Sequence, residues 1–133
     1  MSILDRLAPS YFDDAGELVD VTFGLYRVVL RFDRMSVEIY NGCEIRCPDG
    51  GAWIWRPKKR GGHARVSEAE MNDMTGFAKL LESEYRSFEV LAGGKVRLNF
   101  ANGCTLVLWA DEAGFESFVI DKTGDEGGRI VVH

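Results

Sequence analysis

One short pattern occurs twice in this chain. Val28-x-Leu30-x-Phe32 returns as Val96-x-Leu98-x-Phe100, 68 residues later. Apolar side chains at every second position mark a strand with one face in a core. The second copy runs into Asn102-Gly103 and then into Cys104 to Ala110. A dipeptide able to take φ > 0 between two strand-like runs is a strong hairpin signal. The first copy runs into Asp33-Arg34, a turn without glycine and therefore looser, and then into Met35 to Tyr40. Val37 and Ile39 match Leu106 and Leu108 at an offset of 69, as one extra residue in the second turn requires. A strand precedes each copy: Leu18 to Phe23, with Val19, Val21 and Phe23 on one face, and Arg86 to Leu91. An aromatic strand follows each, at Trp53–Trp55 or Phe115–Ile120. The pattern predicts an internal repeat of two similar antiparallel meanders.

Between the repeats lies Ser67-Glu68-Ala69-Glu70, a capping box that starts a helix. Met71, Met74, Phe77, Ala78 and Leu81 then share one side at 3.6 spacing, which predicts a helix over about 67–83. Ser2 to Ala8 reads as a second, short helix closed by Pro9. Cys43 to Gly51 reads as an irregular polar segment ending in the turn Pro48-Asp49-Gly50-Gly51. The central helix is the one other apolar surface large enough to cover a sheet. The expected fold is α+β: two similar meanders forming a curved sheet or a partly open barrel, with the helix packed on it.

At 133 residues the chain fits a single domain, 1–133, with a real core. It has no apolar run long enough for a membrane span. Met1 to Pro9 carries no basic and apolar leader pattern, which predicts a cytoplasmic protein. Three cysteines favour reduced thiols over a disulfide framework. Cys43 and Cys47 are the only close pair, and in an extended chain they stand roughly 13 Å apart, too far to bridge unless a tight loop joins them.

The run Val96 to Leu106, with Phe115-Glu116-Ser117-Phe118-x-Ile120 and Ile130-Val131-Val132, resembles a group of small, uncharacterised bacterial proteins. Those open with a strand–turn–strand like Phe23-Gly24-x-Tyr26-x-Val28-x-Leu30-x-Phe32 and carry a segment like Trp55-Arg56-Pro57. Some of them resemble immunity proteins of bacterial polymorphic-toxin systems. The resemblance covers roughly residues 18 to 132 and implies a binding function. It transfers no catalytic residues, and the basic stretch after Pro57 departs from the compact pattern of the group.

The residues themselves offer little chemistry. His63 and His133 are the only histidines. With Cys43, Cys47 and Cys104 they lack the tight ligand spacing of a zinc site, so no metal or cofactor is expected. Cys47 and His63 are the one pair available for thiol catalysis, and nothing in the sequence brings them together. Glu116 falls between apolar neighbours in a strand pattern and calls for a structural partner such as an arginine. Arg56, Lys58, Lys59, Arg60 and Arg65 adjoin Trp53 and Trp55, a combination able to bind single-stranded nucleic acid. The net charge of −5 and the absence of a nucleic-acid module argue against it. These readings predict a non-enzymatic protein-binding domain, in its sharpest form a toxin-neutralising, immunity-type protein. Its partner would be basic, met by the exposed acids Asp13, Asp14, Glu17, Asp111 and Glu112. The alternatives are nucleic-acid binding through the 56–65 stretch and a small-ligand pocket between sheet and helix. The edges of an open sheet also give a route to a homodimer.

Overall fold

The computed structural model describes residues 15–24, 26–56, 75–109, 117–122 and 129–132. Among these residues ten strands form: β1 Leu18–Phe23, β2 Val28–Phe32, β3 Met35–Ile39, β4 Cys43–Arg46, β5 Ala52–Trp55, β6 Tyr85–Val90, β7 Val96–Phe100, β8 Thr105–Leu108, β9 Phe118–Lys122 and β10 Arg129–Val132. A helix, α1, includes residues 75–80. No helix among the described residues is long and apolar enough to cross a membrane.

The alternation read from the sequence places the core. Val28 and Leu30 of β2, Val37 and Ile39 of β3, Val96 and Leu98 of β7, and Leu106 and Leu108 of β8 are fully or almost fully buried. Together with Phe32 and Phe100 they belong to one hydrophobic cluster. Burying one such leucine or isoleucine contributes on the order of 1.5–3 kcal/mol.

The strands do not form one curved sheet. They divide into two five-stranded antiparallel sheets, ordered β1-β2-β3-β9-β10 and β5-β4-β8-β7-β6. Each three-stranded meander is completed by the hairpin that follows the other meander in the chain. β9–β10 docks on β3 through Ile39↔Phe118, and β4–β5 docks on β8 through Cys43↔Leu108. The repeat is therefore a five-strand unit used twice, with its last two strands exchanged between the copies.

Hydrogen bonds confirm the correspondence. Leu18 N donates to Ser83 O at 3.1 Å and Tyr85 N donates to Gly16 O at 2.9 Å. Asp33 N donates to Glu17 O and Ala101 N to Glu84 O, at 3.2 and 2.8 Å. At the crossing points Tyr40 N donates to Ser117 O and Trp109 N to Gly42 O, at 2.9 and 3.1 Å. Matching bonds at equivalent positions of the two copies fit an approximate twofold relation between them. Its axis passes by the bridge between Glu17 and Glu84. Near it, Phe32 and Phe100, the matching ends of β2 and β7, stack with centroids 6.0 Å apart.

Several sequence expectations are corrected here. The register of β1 on β2 shifts between Leu18 and Asp20, and that of β6 on β7 shifts between Tyr85 and Ser87. An extra residue in one strand changes the phase of the alternation. Leu18 is consequently buried and Val19 is 56% exposed, so Val19 does not share a face with Val21 and Phe23. The same shift in β6 buries Tyr85 and Phe88, three positions apart. Cys43–Arg46 is a strand rather than an irregular segment, with Cys43 and Ile45 buried and pairing on both sides, to β5 and β8. The fourth strand of the second unit begins at Phe118, and Val119 is buried beside it at 2% exposure, so that strand has no solvent face there.

The helix also differs. It buries Phe77 and Leu80, whereas Ala78 and Leu81 are exposed. It ends before Leu81, where Glu82 takes a left-handed φ of 65° and its N donates to Leu18 O at 3.0 Å. Ser67 to Met74, and with them the capping box, Met71 and Met74, lie outside the described residues, as does the Ser2–Ala8 segment.

Candidate functional site

The side chain that the β1 register shift turns outward is the starting point. Val19 stands beside the exposed end of α1, where Leu81 is 39% exposed. Between them runs a groove of about 220 Å³ floored by Val21, Phe23, Phe77 and Ala78, with Asp20 on its rim. The Phe23 and Phe77 rings meet edge to face at 5.4 Å, which fixes the floor. Large apolar side chains left exposed side by side mark an interaction surface more often than an accident of folding.

Leu81 also borders a second, more open recess of about 450 Å³. Glu17, Glu82 and Glu84 line it, together with Ser83, Ala101 and Asn102, and no basic residue does among those described. The architecture explains this concentration of carboxylates. Glu17 and Glu84 are equivalent residues brought together by the bridge on the twofold axis. Glu82 is held there by the turn that ends α1. Like charges opposed across a strand pair repel one another and favour a cation between them. Arg86 reaches Glu84 at 3.7 Å, an exposed contact that screens little.

The backbone around the recess is firmly held. Asn102 N donates to Ser83 Oγ at 3.3 Å, and its side-chain Nδ2 donates to Lys79 O at 2.8 Å, closing the last turn of α1. Its Oδ1 accepts from Cys104 N at 3.0 Å. On the other side Asp33 Oδ2 accepts from Glu17 N at 3.1 Å. Gly16, with φ of 86°, is required there, because a Cβ would lie 2.3 Å from that same oxygen.

Of the acids expected to meet a partner, Glu17 is at this recess. Asp13, Asp14, Asp111 and Glu112 lie outside the described residues. So do Lys58, Lys59, Arg60 and Arg65 of the basic stretch, along with His63, Glu116 and His133. The described part of that stretch lies on β5 and just after it. Trp55 is buried in the core and Trp53 covers Gly51 and Gly76, so Trp55 offers no ring face to a base. Arg56 places its guanidinium 5.2 Å from the centroid of the Trp109 ring, a cation–π contact within the protein.

Two further residue groups bear on chemistry. Cys47 and Cys104 form a disulfide, one position beyond the pair Arg46↔Thr105. This corrects the expectation of reduced thiols. Spacing along the chain bears only on the neighbours Cys43 and Cys47, and the strand pairing brings the distant Cys104 alongside Cys47 instead. It also takes the thiol away from the Cys47–His63 reading. Among the described residues no group of three or more His, Cys, Asp and Glu side chains is placed to hold a metal ion. At the crossing end of the molecule Tyr40 donates its hydroxyl to Glu38 at 2.6 Å, and Arg27 lies 3.8 Å from the same carboxylate. Partial burial and then the Glu38 bond raise the Tyr40 pKa above its ordinary value.

Val19, Asp20, Phe23, Leu81, Glu82 and Glu84 were not picked out by the sequence. Val19-x-Val21-x-Phe23 looks like a uniform inward face, and Leu81 completes a helical stripe. A bulge and a helix stop, both set by pairing with distant residues, turn them into surface.

No family model matches the chain, and no curated protein and no solved structure matches it either.

Proposed function

We propose that this is a non-enzymatic protein-binding domain that docks a basic partner in the groove between β1 and α1. One observation carries the reading: the exposed apolar side chain of Leu81, beside that of Val19, also borders a recess that, among the described residues, is lined by three glutamates and no basic residue, with Arg86 in exposed contact with Glu84 alone. An apolar floor supplies affinity, and an adjoining anionic rim supplies orientation and fast encounter with a cationic surface. The net charge of −5 acts in the same direction at longer range. Neutralisation of a basic toxin domain is the sharpest form of this function, and it rests on the family resemblance rather than on the groove.

The test screens the products of the genes adjacent to this one, and a basic, toxin-like product among them is the expected partner. The wild-type chain is expected to bind it and protect cells from it. Leu81→Asp and Val19→Asp should each weaken binding by about tenfold to a hundredfold. Glu82→Lys should slow association, with the effect fading as salt rises. Both apolar residues are exposed, so unchanged melting of the two variants would confirm that binding alone was lost. Partner binding that survives Val19→Asp/Leu81→Asp would remove the groove as the docking site, and no binding and no protection by the wild type would remove toxin neutralisation.

A further inference from the structure

The two hairpins that cross between the repeats are not held alike. β4–β5 lies on β8 over the pairs Cys43↔Leu108 to Arg46↔Thr105 and is stapled there by Cys47–Cys104. β9–β10 lies on β3 over Met35↔Lys122 to Ile39↔Phe118. Among the described residues no disulfide joins it to the rest of the chain.

We infer that the β9–β10 hairpin exchanges with that of a second copy of this chain, each β9 pairing with β3 of its partner, to give a dimer. The contacts required already exist within one molecule. β3 pairs with β9 along the side not taken by β2, Tyr40 N and Asn41 N donate to Ser117 O at 2.9 and 3.2 Å, and Phe118, Val119 and Ile120 are buried. A hairpin supplied by another molecule makes the same pairs and buries the same side chains. The exchanged and closed forms therefore differ mainly in the entropy of association, and protein concentration decides between them. The single chain already has the connectivity of an exchanged dimer whose two units have been fused. β4–β5 is prevented from the equivalent exchange by its disulfide.

The experiment places cysteines at the facing pair Ser36↔Asp121. The Ser36→Cys/Asp121→Cys protein is unfolded in denaturant with Cys47–Cys104 kept oxidised, then refolded over a hundredfold range of concentration. Monomer and dimer are separated by size exclusion with light scattering, and each is then oxidised. The dimer fraction should rise with concentration during refolding. The oxidised dimer should run as a covalent dimer on a non-reducing denaturing gel, and the oxidised monomer as a monomer. Protein cross-linked at 36–121 before unfolding should yield no dimer. A chain that stays monomeric at every concentration, or a dimer that falls to monomers on that gel after complete oxidation, would overturn the inference. The reading of the β1–α1 groove is unaffected by either result.

Discussion

The two five-strand units share a backbone and differ in how they are closed. In the first, β2 and β3 are joined through Asp33-Arg34, and the Asp33 carboxylate holds the Glu17 amide. In the second, β7 and β8 are joined through Ala101 to Cys104, and Asn102 holds both Ser83 and the end of α1. The first unit carries the Arg27–Glu38–Tyr40 cluster. In the second, Trp109 stands where Tyr40 would, and its ring takes the cation of Arg56 instead. The register shifts and crossing bonds recur, whereas the turn chemistry, the disulfide and the polar clusters do not. The backbone pairing scheme thus tolerates different side-chain solutions, provided that each strand keeps its apolar face.

If the units are energetically equivalent, the same lesion in either should be equally damaging. Leu30→Asp and Leu98→Asp each place an unpaired charge at a fully enclosed site and should each cost about 5 kcal/mol or more, enough to unfold a domain of this size. Circular dichroism and melting would show it, and a folded Leu30→Asp protein beside an unfolded Leu98→Asp protein would break the equivalence. The disulfide sharpens the contrast. It closes a loop of 57 residues, and Cys104→Ser should cost up to about 4 kcal/mol on a chain-entropy account, as read by denaturant melts. Glu82 occupies the left-handed region, the one non-glycine residue among those described to do so. Glu82→Gly should therefore stabilise the protein by about 1 kcal/mol. The smallest effect belongs to Tyr40. Its folded pKa is raised, so its contribution to stability is complete below the unfolded value of about 10 and is lost as pH climbs through the folded value. Across that alkaline range wild type should lose stability relative to Tyr40→Phe, and parallel melts of the two proteins would test this.

Much of the strand plan was legible because it is local. Val28-x-Leu30-x-Phe32, Val96-x-Leu98-x-Phe100 and Asn102-Gly103 act through their immediate neighbours. Gly103 takes φ of 87°, and a Cβ there would lie 2.7 Å from Pro48, so both the turn and the packing demand glycine. The features that were not legible all depend on distant partners. The register shift that exposes Val19 is defined against β2, and the stop at Glu82 is made by a bond to Leu18. Four residues, Cys43–Arg46, carry too short an alternation to stand out, and their strand character comes from β5 and β8. The candidate groove is assembled from just those features, which is why its residues looked like core. Asp20 and Glu84 gave no sequence signal, since isolated carboxylates on polar strand positions are ordinary.

The exchange of hairpins has a consequence for synthesis. As the chain leaves the ribosome, β1, β2 and β3 emerge early, yet the strand that shields the open side of β3 is β9, more than 75 residues later. Translation of the β6–β8 segment must finish before that edge is covered. During that interval β3 is an unsatisfied template for any passing strand. Nascent chains should thus be most prone to aggregate when stalled between β8 and β9, and released from that hazard once residue 122 is free of the exit tunnel.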